Sequence, residues 1–257
     1  MSSKPPRVLV KLSGEALGGK AKIGIDDAEI ARFASEIRDA VRAGVQIGVV
    51  VGGGNFVRGA RREREGSDRV GADFMGMLAT LINGLALKDG LRRAGLSCEV
   101  MSALAVDRRV AEGFTRERAL ELLGSGVVLI FVGGTGNPFF STDSAAALRA
   151  AEIDASLLAK ATQVDGVYDR DPALQPKAQR FESLSYGDVL TKDLAVMDAA
   201  AVALCRENGI PIRVFDYHVQ KNLARLLAGE PVGTLIATEE QIKLQARVPK
   251  LKNTNKE

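Results

Sequence analysis

The residues that most often carry acid–base or nucleophilic chemistry are scarce in this chain. His218 is the only histidine, and Cys98 and Cys205 lie far apart without Cys-x-x-Cys spacing. A Ser-His-Asp or Cys-His arrangement therefore has almost nothing to build on, and soft ligands are too few for a zinc site. Both cysteines sit in apolar surroundings, as reduced, buried thiols do in a cytosolic protein. What remains is lysine, arginine, carboxylates and backbone amides. Phosphoryl transfer is the large reaction class that needs only these and magnesium, because it runs on positioning and charge stabilisation rather than on a protein nucleophile.

Four segments concentrate such groups. In the first, Lys11-Leu12-Ser13-Gly14-Glu15 ends an apolar run. Lys11 can reach a transferred phosphoryl group there, while Gly14 lets amides approach phosphate oxygens; a surface lysine at a strand end reads the same way. Gly14 to Lys20 also has Walker A spacing, but Ala21 stands where Ser or Thr would hold magnesium, and Gly24 interrupts the expected helix. The second segment, Gly52-Gly53-Gly54-Asn55, leads to Arg58 and offers three unshielded amides near a guanidinium, an anion-binding combination. A dinucleotide fingerprint would need glycine where Val57 stands.

The third segment runs Gly133-Gly134-Thr135-Gly136-Asn137-Pro138-Phe139-Phe140-Ser141-Thr142-Asp143. Glycines for close approach, hydroxyls, an amide and two phenylalanines suit a planar base on a phosphorylated sugar, although either phenylalanine alone reads more readily as core. Asp143 is placed to cap the next helix, a role worth ~1 kcal/mol, and also to orient a lysine or magnesium. The fourth segment, Lys160 to Pro172, joins an Asp-Gly turn to Tyr168 and clustered acidic residues. By itself it is a solvated turn; beside the other three it is a site for ATP.

The elements that must position these segments follow from hydropathy. Short runs rich in Val, Ile and Leu at Val8–Leu12, Val45–Val51, Cys98–Met101, Val127–Val132, Ser156–Ala159, Ile212–Phe215 and Thr234–Ala237 read as strands buried on both faces. Helical spacing predicts helices near Asp27–Ala43, Val70–Ala94, Thr115–Leu123, Asp143–Ala151, Met197–Glu207 and Val219–Leu227. Gly44, Gly95, Gly124, Gly126 and Gly209 fall where left-handed caps would end them. The alternation predicts an α/β fold, a mainly parallel sheet between helical layers. In such sheets ligands bind beyond the carboxyl ends of the strands, so the loops after Leu12, Val51, Val132 and Ala159 are expected to converge.

With 257 residues, 46% of them hydrophobic, the chain can bury one large core. Thirty-five basic against 32 acidic groups give only +3, which asks for no nucleic-acid partner. No stretch of eighteen uncharged apolar residues suggests a membrane span, and no apolar signal core precedes the first strand, so a cytoplasmic protein is expected. Residues 1–240 read as a single domain. Beyond Thr238 the chain turns polar and basic, reading as a frayed tail, with 241–257 expected to be flexible.

Together, KLSGEAL at Lys11–Leu17, GGGN at Gly52–Asn55 with Arg58, DFMGMLAT at Asp73–Thr80, GTGNPFFSTDSAA at Gly134–Ala146, VDGVYDRDP at Val164–Pro172 and PIRVF at Pro211–Phe215 resemble the bacterial uridylate kinases of the amino acid kinase family. The resemblance runs from about Arg7 to Ala237. It implies a three-layer αβα sandwich of about eight mainly parallel strands, a homohexamer, and ATP-dependent phosphorylation of UMP in pyrimidine biosynthesis, with Mg2+ held mainly by the ATP phosphates. It further implies that Lys11, Ser13, Gly14, Gly54 and Arg58 serve the ATP phosphates and that Thr162, Tyr168 and Asp171 serve its nucleoside. Gly53, Asp73, Thr135, Gly136, Asn137, Pro138, Phe139, Phe140, Ser141 and Thr142 would hold UMP, with Asp73 on the ribose hydroxyls. Asp143 and Asp198 would organise the lysine and magnesium, and Lys160 would be a second cation. Lys11, Arg58, Asp143 and Asp198 are thus the expected catalytic set. GTP and UTP are effectors of such enzymes; here Gly19–Gly24 carries two lysines and departs from relatives activated by GTP, so their effect does not carry over. Two other readings share these loops. One is a kinase of an amino acid or carbamate, which has no use for Asp73; the other is a uridylate-binding regulator, which has no use for Lys11.

Overall fold

Continuous Val, Ile and Leu suit strands covered on both faces, and the apolar runs do become the middle of one large sheet. The computed structural model describes residues 6–57, 68–172, 174–175, 177–194 and 196–247. Strand β1 (Arg7–Leu12) leads through a short helix α1 (Gly14–Leu17) and a 3-10 turn (Gly19–Ala21) to α2 (Asp27–Arg42), β2 (Gln46–Val51) and the long α3 (Arg69–Arg93). Next come β3 (Cys98–Ser102), β4 (Glu112–Gly113), α4 (Arg116–Gly124), β5 (Val128–Val132), α5 (Thr142–Glu152) and β6 (Leu157–Thr162). The remainder is β7 (Ser183–Ser185), α6 (Tyr186–Thr191), α7 (Ala199–Glu207), β8 (Ile212–Asp216), α8 (Asn222–Leu227), β9 (Thr234–Ala237) and α9 (Glu239–Arg247).

The sheet order is β4-β3-β5-β2-β1-β6-β8-β9-β7, and only the β8–β9 pair is antiparallel. Among the described residues nine strands replace the expected eight or so; β4 and β7, two and three residues long at the sheet edges, are too short to leave a periodic signal. Strand β6 continues to Thr162, so Lys160 and Thr162 are strand residues rather than members of a loop. Gly44, Gly95, Gly126 and Gly209 have the positive φ of left-handed caps, whereas Gly124 is the last residue of α4. The chain is helical over Glu239–Arg247, where composition reads as a frayed tail, because Glu, Gln, Lys and Leu are good helix formers whatever their polarity.

Side chains alternate across the sheet. Val8, Val10 and Leu12 join a core with α1, α2, α3 and α8, whereas Leu9 faces a second core built with α4, α5, α6 and α7. By the same period of two, Lys11 shares the face of Leu9 and looks toward α5. Fully buried residues such as Leu9, Ile37 and Leu129 each contribute roughly 1.5–3 kcal/mol through burial. The connection from β1 runs to β2 on one side while β6 pairs on the other, so the order switches at β1 and opens a crevice at its carboxyl end.

Helix α3 is long and apolar enough to cross a membrane, yet it packs as a core helix, interrupted by Asp73 and Lys88. Its outward face still shows Val70, Phe74, Leu78, Ile82 and Leu85. Its inward face depends on glycine: a Cβ on Gly84 would lie 2.4 Å from Val132 Cγ1, and one on Gly90 would lie 2.2 Å from Ile30 Cγ2. Gly84→Val is therefore expected to lower the free energy of unfolding by about 2–3 kcal/mol through overpacking against β5. Urea denaturation followed by circular dichroism measures this; an unchanged midpoint would show that α3 can move off the sheet at little cost.

Candidate active site

Strands β1 and β6 pair in parallel with Lys11 opposite Lys160. Two ammonium groups in register on neighbouring strands repel, and a third group has to settle them. Asp143, in the first turn of α5, takes that place: Oδ1 lies 2.9 Å from Lys11 Nζ and Oδ2 lies 2.7 Å from Lys160 Nζ. The three side chains are only 11, 12 and 15% exposed, so the attraction is little screened. Lys160 Nζ also donates to the Val196 carbonyl. The Lys11 contact is ionic, since Oδ1 accepts no directional hydrogen bond among the described residues.

Burial opposes the charged form of Asp143, but Lys11 and then Lys160 overcome it and hold the carboxyl below its ordinary value. Burial dominates for Lys160 and lowers its value, with Asp143 pulling the other way and Lys11 adding to the drop. The trio sets two ammonium groups against one carboxylate, and the Asp198 carboxylate also acts on Lys160.

Asp143 is free for this because it does not cap its helix. Ser141 is the cap of α5, its hydroxyl accepting from the Asp143 and Ser144 amides. Asp198 caps α7 by accepting from Ala201 N at 2.8 Å and also accepts from Ser144 Oγ at 3.0 Å and from Ser141 Oγ. The structure thus brings Asp143 to both lysines and Asp198 to the two serines. Among the described residues, no three His, Cys, Asp or Glu side chains gather as a metal-holding group.

The glycine loops are held from behind. Asn55 and Asn83 exchange amide hydrogen bonds at 2.9 and 2.7 Å, and their remaining protons go to Gly24 O and Gly52 O. The Thr80 hydroxyl accepts from Gly133 N at 2.7 Å and anchors the start of the third segment. Gly14 and Gly53 are required by close approach: a Cβ on Gly14 would stand 2.7 Å from Gly54 N, and one on Gly53 would stand 2.4 Å from Gly76 O. Ser13 caps α1 by accepting from Ala16 N. Gly14 to Lys20 forms this short helix and a 3-10 turn rather than a Walker A loop, and Lys20 points to solvent.

Lys160 lines one of two clefts, and Ser141 and Thr142, which precede Asp143 in sequence, line the other. One, of about 320 Å³, is lined by Gly54, Asp73, Asn137, Phe139, Phe140, Ser141 and Thr142, together with Arg69, Met77 and Thr80. Gly53, Thr135, Gly136 and Pro138 lie outside its lining; the Thr135 hydroxyl instead bonds Asn137 N and O and shapes the loop. Asp73 is not a surface carboxylate, its side chain being 14% exposed. Nor are both its oxygens open: Oδ2 accepts from Arg69 Nε and from Phe139 N, each at 2.8 Å. Phe139 has φ +72, a left-handed conformation that costs a non-glycine residue roughly 1–2 kcal/mol. The bond to Asp73 helps to hold it there.

The second cleft, of about 520 Å³, is lined by Lys160, Thr162, Val164, Tyr168, Asp171, Lys192 and Val196. Tyr168 Oη donates to Asp165 Oδ1 at 2.5 Å, and the Thr162 hydroxyl exchanges bonds with Val164 N and O, so the loop turns on itself. Arg58 lies outside the described residues.

A family model described as the amino acid kinase family matches residues 6–216 of this chain. The chain belongs to the amino acid kinase family. Within it, a solved UMP kinase from Bacillus anthracis is 38% identical, with 91% of this chain and 97% of that one covered and a TM-score of 0.88. A UMP kinase from Ureaplasma parvum is 36% identical over 92% of this chain and 100% of that one, with a TM-score of 0.86. A uridylate kinase from Archaeoglobus fulgidus is 27% identical, covering 90 and 99%, at a TM-score of 0.67. For an amino acid kinase family member, two lysine ammonium groups fixed near the carboxyl ends of the central strands are groups that phosphoryl transfer can use.

Sequence reasoning missed Arg69, Thr80, Asn83 and Ser144. Their only signal was that polar residues interrupt otherwise apolar helical faces, which identifies an anomaly but not a partner.

Removing the shared carboxylate tests the trio. Asp143→Asn leaves two buried ammonium groups facing each other and is expected to cost about 3 kcal/mol or more at neutral pH. The folded variant then sheds the Lys160 proton more readily than the unfolded chain, which keeps it up to the ordinary lysine value of 10.5. Stability of the variant therefore rises with pH in the window below that value. Chemical denaturation from pH 7 to 10 measures it, and a variant whose deficit is constant across this range would refute the lysine repulsion.

Proposed function

We infer that this chain phosphorylates UMP to UDP with ATP by direct in-line transfer, in the cytoplasm and within pyrimidine nucleotide biosynthesis. One observation carries the reading: the Lys11–Asp143–Lys160 trio sits at the carboxyl ends of β1 and β6, with Lys160 lining a cleft, in a chain 36–38% identical to UMP kinases over more than nine-tenths of its length. An amino acid or carbamate kinase would not need the Asp73 carboxylate in its acceptor cleft, and a uridylate-binding regulator would not need two lysines buried at the cost their repulsion brings.

In this mechanism an oxygen of the UMP phosphate attacks the γ-phosphorus of ATP, and the bond to the bridging oxygen breaks with its electron pair leaving on ADP. No general base is required, because the attacking oxygen is ionised at neutral pH. Lys11, held by Asp143, offsets charge on the transferring group, and Arg58 acts on the same phosphates. Lys160 keeps Asp143 ionised and adds to the positive field. Amides at Gly14 and Gly54 cradle the ATP phosphates beside Ser13, and Thr162, Tyr168 and Asp171 hold its nucleoside. Gly53, Asp73 and the segment from Thr135 through Gly136, Asn137, Pro138, Phe139, Phe140 and Ser141 to Thr142 hold UMP, and Asp198 positions Ser141 and Ser144. Magnesium, bound mainly with ATP, would partly neutralise the phosphate charge. The chain works as a homohexamer. The outward face of α3 supports assembly, since Phe74, Leu78, Ile82 and Leu85 form an apolar stripe of the kind a second copy covers.

With magnesium and ATP, the purified protein is expected to turn over UMP far faster than CMP or any amino acid; equal turnover of CMP in a coupled ADP assay would defeat the assignment. Lys11→Ala is expected to lower kcat on the order of 10²–10³ with little change in UMP binding, as when one transition-state charge donor is lost. If UMP affinity collapsed and kcat did not, Lys11 would be a binding residue.

A further inference from the structure

The Asp73 carboxylate is divided. Oδ2 takes two donors, Arg69 Nε from one turn earlier on α3 and Phe139 N from the loop across the cleft, each at 2.8 Å. No hydrogen bond reaches Oδ1 among the described residues, yet Oδ1 is not among the sealed, unpartnered atoms of the interior. With Asp73 lining the cleft, Oδ1 is the oxygen that meets an occupant. The Arg69 guanidinium also lies 5.7 Å from the centre of the Phe139 ring, so one side chain grips both the carboxylate and the loop that bonds it. A carboxylate held at one oxygen by two N–H donors cannot spin about its Cβ–Cγ bond without breaking both. Its free oxygen thus presents lone pairs in a fixed direction.

We propose that Arg69 is a positioning residue that, through Asp73, sets the preference of the acceptor cleft for a ribose over a 2′-deoxyribose nucleotide. The inference rests on the UMP reading above and deepens it. Hydroxyls on the sugar have a single directed oxygen to donate to, so discrimination depends on how tightly that oxygen is aimed. Arg69 itself touches neither reacting phosphate in this scheme, and its loss alters sugar selection rather than the chemical step.

The experiment compares UMP with dUMP in wild type, Arg69→Met, Arg69→Lys, Asp73→Asn and the Arg69→Met/Asp73→Asn double variant. It reads kcat and KM by coupled assay and Kd by calorimetry without ATP. Arg69→Met keeps the length of side chain that lies near Phe139 but removes the donor. Its UMP-over-dUMP ratio of kcat/KM is expected to fall about tenfold or more, the worth of one hydrogen bond to a charged group. The change should appear in KM and Kd for UMP, with kcat at saturation within about twofold of wild type if only ground-state and transition-state binding are lost equally. Arg69→Lys, which restores a donor, recovers part of the ratio. The double variant is no less selective than Asp73→Asn alone, because both changes act on one oxygen. An unchanged ratio in Arg69→Met overturns the proposal, as does an equal rise in KM for both substrates, which would make Arg69 a general anion contact. Thermal melting confirms that each variant is folded, and Arg69→Lys carries the same comparison in reverse if Arg69→Met is not. Wild-type protein that neither binds nor phosphorylates UMP would instead defeat the function proposed above.

Discussion

Two lysines in register on adjacent strands, Lys11 and Lys160, share one buried carboxylate, and the arrangement of the crevice depends on that sharing. Without Asp143 the sheet would hold two like charges side by side in a poorly screened place. The start of α5 must therefore sit over the carboxyl ends of β1 and β6. It is held there by Ser141, which caps the helix, and by Asp198, which ties Ser141 and Ser144 to the start of α7. The placement of the two ammonium groups is then a property of the fold rather than of a mobile surface lysine. A field fixed before substrate arrives needs no reorganisation when charge develops, which is the main advantage of a preorganised site.

Helix α3 is the second constraint. Its inward face packs on β5 through Gly84 and on α2 through Gly90. From the same helix, Asn83 pins the Gly52–Asn55 loop, Thr80 pins Gly133, and Asp73 pins Phe139. Two segments about eighty residues apart in sequence, the second held at two points, are thus referenced to one rigid element. The strain at Phe139 persists because the helix and the loop restrain it from both sides. The outward face of the same helix carries an apolar stripe, so a contact between subunits there would bear on the element that lines the Asp73 cleft.

Much of this was legible in the chain itself. Seven of the strands and six of the helices follow from apolar runs and three- and four-residue spacing, because burial selects side chains locally. The four glycine- and hydroxyl-rich segments stood out because close approach to a ligand or backbone leaves room for little but glycine, as Gly14 and Gly53 bear out. The spacing also led to the family, because a long ordered set of motifs resists coincidence. Very short edge strands, by contrast, leave no period to read, and α9 is hidden by composition that suits a tail as well as a helix.

What only the tertiary structure decided is pairing. Lys160 could not be assigned a neighbour until β6 was found beside β1 with its register set, since register is fixed by contacts across more than a hundred residues. Asp143 suited both a helix cap and a partner for a lysine or magnesium until Ser141 was seen to take the cap and leave it to the lysines. Asp73 was marked by its position in a motif, but which of its oxygens remains open depends on Arg69 and on a loop 66 residues away. Sequence by itself determined which groups were present and which elements carried them. Their partners, and hence their chemistry, came from folding, because hydrogen bonds and ion pairs act over a few ångströms and such distances exist only once the sheet has brought its loops together.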